Sequence, residues 1–476
     1  PDISTFTLTI APQPMVNAGS NATICSDESL QVSGALQNHA GFFWQTSGDG
    51  TFEDANNLTT TYMPGVSDLH NGLVTISLHA QPVSPCNIVS TDDFQLTVNH
   101  CQEINVPAGW SGISGYVQPS DSSIVNIFDE IMSELVILQS ETGMYWPGEN
   151  INTIGNWKRD EGYKIKTINE SQISLAGLWT GDNQLQIDGG WNLIPVLSSC
   201  QANVEELFAG SGVTIVKEIA GWRVYWPEYG INTLGTVDPG KAYYVNIPFS
   251  GSITFPQCES GNFKTSLPVV SDQFKYSFAK AQLDFTPYTH IVALGDDFDF
   301  APGTQIIAYD ETGRCCGIVE WQESKTALTI FGDDPFTSEK DGAFEGELLT
   351  IKAIGPDGFD SIMEIAWDEN LPNSDGRFYH HGLSAIKEAS LSAHNEFSGS
   401  EEITIFPNPA NEFVVISSKC SAEVKVQFIN QTGVNCLEVK SSESVSKIDI
   451  SGLAKGVFMV VITCENTKVV KKLVVK

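Results

Sequence analysis

The feature that most restricts how this chain can fold is an internal duplication. Gly109-Trp110 answers Gly190-Trp191, and Tyr145-Trp146-Pro147 answers Tyr225-Trp226-Pro227. Ile151-Asn152-Thr153-Ile154-Gly155 answers Ile231-Asn232-Thr233-Leu234-Gly235, and Gly162-Tyr163-Lys164-Ile165 answers Ala242-Tyr243-Tyr244-Val245, all at an offset of 80 or 81 residues. Agreement over so many positions predicts two homologous units of about 80 residues that pack as a pseudo-symmetric pair. Around them the chain alternates apolar and polar residues with period two, in short runs bounded by Gly, Pro, Asn and Asp, which is the pattern of half-buried strands joined by tight turns. With 41 Gly, 22 Pro and only 17% charged residues, the expected fold class is mostly β, a multidomain array of β-sandwich-like modules around the duplicated middle. Apolar spacing turns helical only at 123–138 and 204–208, where short helices are expected.

Residues 4–10 echo residues 92–98, with Phe6, Leu8 and Ile10 answering Phe94, Leu96 and Val98. The first run therefore reads as the closing strand of an earlier copy, with the linker Ala11-Pro12-Gln13-Pro14 after it, and a longer parent array is expected. The absence of an initiator Met and of a basic-then-apolar leader points the same way. The resulting plan has residues 1–12 as closing strand and linker, 13–100 as one module, 101–185 and 186–258 as the repeat units, and 259–385 as a further β module. A linker follows at 386–400, then a separate domain at 401–476.

In the module at 13–100, the stretches from Asn17 to Cys25, Trp44-Gln45-Thr46-Ser47-Gly48-Asp49-Gly50-Thr51-Phe52 and Tyr62-Met63-Pro64-Gly65 resemble the Ig-like or PKD-like repeats of bacterial surface proteins. Trp44 is the expected core tryptophan. Cys25 with Cys86 is the leading disulfide candidate, and closing a loop of that size would stabilise the module by about 4 kcal/mol. The repeat units resemble a paired Gly-Trp and Tyr-Trp-Pro module of exported surface proteins. The hairpin from Gly303 through Asp310-Glu311-Thr312-Gly313 to Cys315-Cys316-Gly317 resembles a small β module common in such proteins. Neither likeness implies a reaction.

Tyr145, Trp146 and Asn152 of the first unit, with Tyr225, Trp226 and Asn232 of the second, form the candidate ligand site. An aromatic face beside hydrogen-bonding amides suits a sugar. The same residues also suit a duplicated core in which Asn-Thr-x-Gly makes a turn, and the sequence leaves both readings open.

The formal charge of -33, from 25 basic and 58 acidic residues, repels phosphate backbones, so nucleic acid is not an expected partner. Acidic clusters at Asp296-Asp297-Phe298-Asp299, Gly332-Asp333-Asp334 and Asp368-Glu369-Asn370 could take Ca²⁺ through oxygen but lack EF-hand spacing, and no cofactor or metal is otherwise expected. Ten cysteines without paired C-x-x-C spacing disfavour a zinc ribbon. No His-Glu-x-x-His, Gly-x-Ser-x-Gly or phosphate-binding Gly-rich loop occurs. Adjacent His380-His381 near Ser384 is the nearest approach to a catalytic group, and the expectation is that the chain is not an enzyme.

The last stretch differs in charge, with 9 Lys against 8 acidic residues from position 401. It opens with Pro407-Asn408-Pro409 after an apolar strand, continues through Ile450-Ser451-Gly452-Leu453-Ala454-Lys455-Gly456-Val457-Phe458, and ends Lys471-Lys472-Leu473-Val474-Val475-Lys476. These marks resemble the type A C-terminal sorting domain of the type IX secretion system, with Phe458 where Tyr is common. The resemblance implies a small β-sandwich, passage through the periplasm, recognition by an outer-membrane translocon and cleavage by a sortase-like peptidase. The product would be secreted or held on surface lipopolysaccharide. Pro407, Asn408, Pro409, Gly452, Leu453, Gly456, Lys471 and Lys472 are the implied signal residues. The cargo is then expected to be a structural or adhesive surface protein touching glycans or other surface proteins, or else the carbohydrate-binding accessory part of a large secreted hydrolase.

Overall fold

A computed structural model describes residues 11–178, 181–258, 283–295, 298, 300–322, 325–356, 360–391, 404–417, 424–430, 434–441, 445–464 and 467–476. The described chain is almost entirely strand and turn, an array of β modules, and falls into two compact units, Pro1–Ala389 and Ser390–Lys476. The echoing run at 4–10 and the acidic residues Asp296, Asp297 and Asp299 lie outside the described residues.

The first module packs a sheet containing His39–Thr46, Leu73–Pro82 and Ser90–Val106 against a smaller one of Leu30–Ser33, Thr59–Met63 and Thr51–Phe52. Alternation sends Ile76, Leu78, Leu96 and Val98 inward around Trp44 and Tyr62. The Gly48-Asp49-Gly50 turn is tied by one buried carboxylate. Asp68 accepts hydrogen bonds from the Asp49, Gly50 and Gly65 amides and from the Tyr62 hydroxyl, the last at 2.5 Å.

Ser90–Val106 does not stop at position 100. Its first half pairs with Leu73–Pro82 and its second half with Ser171–Leu178, so one sheet is shared by the first module and the first repeat. This corrects the expected disulfide. Ala22–Cys25 runs parallel to that strand with Cys25 beside Asn99, and two further residues of strand bring Cys101 onto the same face, where Cys25 bonds it at a Cα separation of 5.6 Å. Cys86 lies in the connection before the strand and is a free thiol. A second disulfide, Cys200–Cys258, closes the second repeat.

Each repeat is built on a five-stranded sheet. In the first, the order is Gly109–Ile113, Tyr163–Thr167, Leu135–Gln139, Met144–Trp146, Ile151–Asn152; in the second it is Gly190–Ile194, Tyr243–Ile247, Ile215–Glu218, Val224–Trp226, Ile231–Asn232. The helices are shorter than the sequence pattern predicts. Within 123–138 only Ile124–Ile127 and a 3₁₀ turn at Asp129–Ile131 form, because Leu135, Ile137 and Leu138 are taken into the sheet; Val204–Leu207 forms in the second unit.

The third module is a seven-stranded sheet in the order Cys315–Glu320, Gln305–Tyr309, Thr350–Ile354, Asp360–Trp367, Leu383–Leu391, Thr289–Leu294, Thr326–Phe331. Residues 386–391, expected as linker, belong to Leu383–Leu391. The buried Ile386 holds them there, paired alongside Leu294.

The terminal unit faces Thr404–Phe406, Phe413–Ser417 and Val445–Asp449 against a four-stranded sheet ordered Asn435–Ser441, Val424–Asn430, Gly456–Cys464, Thr467–Val475. Val414, Ile416, Phe428, Ile448, Val460 and Leu473 fill the space between them.

Candidate functional site

The duplicated aromatic residues all have structural partners. In the first repeat Tyr145 turns into the core and its hydroxyl reaches the Met132 sulfur. Trp146, on the next residue of the strand, points the other way and meets Phe336 of the third module edge-on, at 5.2 Å between ring centroids. Trp110 also meets Phe336, and its indole N–H donates to Asp334 Oδ2 at 2.6 Å. Lys166 Nζ lies 2.5 Å from the same oxygen.

In the second repeat Trp226 is 0% exposed, enclosed with Ile215 and Ile231 by Ile291, Ala293, Ala327 and Leu383 of the third module. This corrects the reading of Trp226 as one face of an open sugar platform, since an enclosed ring has no face left for a ligand. Tyr225 packs on the repeat's own core. Asn152 and Asn232 are turn residues, their side-chain oxygens accepting the Gly155 and Gly235 amides at 2.9 and 2.8 Å.

Sequence reasoning missed a buried lysine at the centre of this contact. Lys217, 1% exposed, sits in the middle of Ile215–Glu218. Its ammonium donates to Thr289 Oγ1 at 2.7 Å and to the Thr289 carbonyl at 3.3 Å. It lies 4.7 Å from the Trp191 ring centroid and 5.5 Å from that of Tyr244. Burial pushes the ammonium down to about 7, while the ring faces and the two Thr289 oxygens favour its charged form. A lysine set directly after Ile215 and Val216, on a strand matching an apolar one in the first repeat, was the available signal.

His381 stacks on Trp191 at 4.3 Å and His380 packs against it. Burial first, then the nearby Lys217 charge, holds His290 and His380 down to about 3, and His381 lower still. His290 Nε2 is 2.7 Å from Ser384 Oγ, which resembles a catalytic pair in spacing. The hydrogen bonds argue otherwise. Nδ1 accepts the Tyr379 amide, so Nε2 carries the proton and donates to the serine, whose hydroxyl in turn donates to the Asn373 carbonyl. The imidazole has no lone pair to take a proton from Ser384, and both residues are 1% exposed.

Among the described residues no group of three or more His, Cys, Asp or Glu is placed to hold a metal ion. Asp333 and Asp368 are occupied in turns. Asp333 accepts the Asp341 amide, and Asp368 accepts the Asn370 amide and the Tyr229 hydroxyl.

In the terminal unit, residues 64 and 66 apart in sequence meet. Asn408 of the Pro407-Asn408-Pro409 turn donates to the Lys472 carbonyl at 2.7 Å and accepts the Val474 amide at 2.9 Å. The opening turn is thereby fastened to the closing strand Thr467–Val475, an edge strand on which Lys471 and Lys472 are exposed. Gly452 lies in the turn where the Leu453 amide returns to the Ile450 carbonyl. Leu453 packs on the core, and Gly456 opens its strand at a φ of 151° that suits glycine. Phe458 is buried, 4% exposed, and packs in the core between the two sheets.

Residues 404–476 match the family described as the secretion system C-terminal sorting domain. The tail is therefore a type IX sorting domain, and the chain is exported to the cell surface or beyond it. No curated protein matches the chain. Among solved structures, the chain is similar at 11% identity to a tetra-tandem repeat in the extending region of a large adhesion protein, over 96% of this chain and 99% of that one, with a TM-score of 0.14. It is similar at 10% identity to a Ca²⁺-stabilised adhesin that helps an Antarctic bacterium bind ice, over 98% and 99%, with a TM-score of 0.15. A third similarity, at 9% identity over 93% and 92% with a TM-score of 0.15, is to a Bacteroides ovatus protein, SGBP-B, of a mixed-linkage glucan utilization locus, solved with a heptasaccharide.

Proposed function

We propose that the chain, delivered through its sorting domain, works at the outer surface as a non-catalytic structural and adhesive protein. The observation that supports this most directly is the welding of its modules. Ser90–Val106 runs unbroken from the first module into the first repeat, and the third module is bonded to both repeats through Asp334, Phe336 and Thr289. Modules that share a sheet and bury charged hydrogen bonds against one another form a stiff body suited to holding a contact surface away from the cell. The translocon and a sortase-like peptidase are the partners this reading assigns to the tail, with the turn at Pro407, Asn408 and Pro409 beside Lys471 and Lys472 as the recognised face. Attachment to lipopolysaccharide would follow cleavage.

Two measurements test it. Removing residues 404–476 should leave the protein in the periplasm; export of the truncated chain would defeat the address. Beads coated with the full chain should adhere to cells or to surface polymers more than bare beads do, and equal adhesion would defeat the contact role. The accessory carbohydrate-binding reading is the alternative, and it is favoured by a cleft between the repeats.

A further inference from the structure

The two repeats meet along a seam. The Ser114 amide donates to the Gly240 carbonyl at 3.0 Å, its hydroxyl to the Lys241 carbonyl at 2.5 Å, and that hydroxyl accepts the Val196 amide at 3.0 Å. The approach is so close that a Cβ on Gly112 would lie 2.5 Å from the Ala242 carbonyl oxygen. Beside the seam a cleft of about 610 Å³ opens, lined by both repeats and by Phe285 of the third module. That is an ordinary size for a small-molecule site, roughly 300–1,000 Å³.

Its lining has a definite chemistry. The edges of Ile104, Trp110 and Ile219 and the exposed ring of Phe285 supply apolar and aromatic surface. Gln102 is 5% exposed and its Oε1 accepts the Tyr116 amide, which fixes the orientation of the carboxamide. Its Nε2 is then a buried donor with no partner in the protein, and Ser111 Oγ is a second buried polar atom in the same state. Buried donors in native folds are almost always paired, so two of them in one cleft call for an outside partner. Glu170 stands exposed on the lining as an acceptor, and beside it Glu103 Oε2 and Asn105 Oδ1 already accept Gln172 Nε2 at 3.2 and 3.0 Å, leaving Glu103 Oε1 and the remaining lone pairs to a ligand. Lys241 is held by Asp238 at 3.1 Å, and Glu218 by Arg223 at 2.6 Å.

The ligand must offer acceptor oxygens to Gln102 and Ser111, several donors to the carboxylates, and an apolar face to the rings. An anion is disfavoured by Glu103, Glu170 and the net charge of -33. A cation would meet the Gln102 N–H with the wrong polarity. A peptide presents one backbone N–H per residue, fewer donors than the acceptors present, whereas a sugar ring carries hydroxyls around its rim and C–H groups on its face.

We propose that the cleft between the repeats binds an uncharged saccharide, with Gln102 Nε2 and Ser111 Oγ hydrogen-bonded to its oxygens and Glu103, Asn105 and Glu170 receiving its hydroxyls. The proposal rests on the surface-contact reading for its setting but has its own test. The full chain is titrated calorimetrically with gluco-, manno-, xylo- and N-acetylglucosamine oligosaccharides, with oligogalacturonate as the anionic probe and a random peptide mixture as the third. At least one neutral oligosaccharide should bind. Gln102→Met should weaken it tenfold or more, and Glu170→Ala, an exposed change, should weaken it severalfold with melting unchanged. Trp146→Ala, outside the cleft, should leave binding intact.

Binding of the anionic probe or peptides alone, no binding of any neutral sugar, or parental affinity in both cleft variants would each overturn the assignment. If Gln102→Met fails to fold, Glu170→Ala decides. Bead adhesion without sugar binding removes the cleft and leaves the contact role, whereas sugar binding without adhesion supports the cleft and removes that role.

Discussion

Trp226 of the second repeat is fully enclosed by the third module, whereas its counterpart Trp146 in the first repeat is half-buried and touches that module through Phe336. The positive charges also change strands. Lys217 pairs with Tyr244 across the second sheet, and the matching pair in the first is Gln139 with Lys164. Lys217 is buried between rings, while Lys164 Nζ stands 6.0 Å from the Tyr288 ring centroid. The second repeat also carries its own disulfide, Cys200–Cys258. Its counterpart instead takes support from the sheet it shares with the first module. Duplication thus preserved a scaffold and an aromatic face, and the face became a docking surface of two different strengths.

The comparison is broken most forcefully at the disulfide. Cys200→Ser with Cys258→Ser should destabilise the second repeat by about 4 kcal/mol, the loop-closure value for a separation of 58 residues. The first repeat should keep its hydrogen-exchange protection. Equal loss in both would mean that the repeats unfold as one unit. Next in size is Trp226→Ala, which should cost about 3 kcal/mol in chemical denaturation. This is the low end for a buried tryptophan, because its indole N–H has no partner and its removal relieves a desolvated donor. Trp146→Ala should cost about 1 kcal/mol, and equal costs would erase the difference between the two docking faces.

The repeats were legible because duplicated motifs at a constant offset force a duplicated strand order, and the Asn-Thr-x-Gly turns follow from side-chain chemistry within three residues. The sorting domain was legible for a similar reason, its marks being local. What covers the tryptophans was not legible. Trp110 and Asp334 are 224 residues apart, and no periodicity in either strand says which module will lie against it. The disulfide failed on a boundary. Ending the first module at residue 100 left Cys101 in the next one, while Ser90–Val106 carries both halves in one strand. Gln102 falls in phase with Phe94, Leu96, Val98, Ile104 and Val106, so alternation places it inward, but the period does not tell that its amide nitrogen is left without a partner there.

The smallest expected effect separates the two docking faces by pH. Burial lowers His290 from 6.5 to about 3. Between those values the unfolded chain binds a proton that the folded chain does not, so stability falls as pH falls through 6.5, by about 1 kcal/mol from His290 alone down to pH 5.5. Lys217, lowered from 10.5 to about 7, works in another window. Its cost is fully present below about 7 and is relieved as pH rises from there toward 10.5, so it adds little slope between 5.5 and 6.5. Asp375 opposes the His290 shift only in part. The histidines His290, His380 and His381 all belong to the third module, and it is Trp191 of the second repeat on which His381 stacks. Mild acid should therefore raise exchange first at Ile215–Glu218 and Thr289–Leu294, while the Trp110 and Asp334 contact stays protected. His290→Asn should flatten the dependence of melting temperature on pH. An unchanged slope in that variant, or equal exchange on both faces, would show that the buried imidazole is not what distinguishes the second contact from the first.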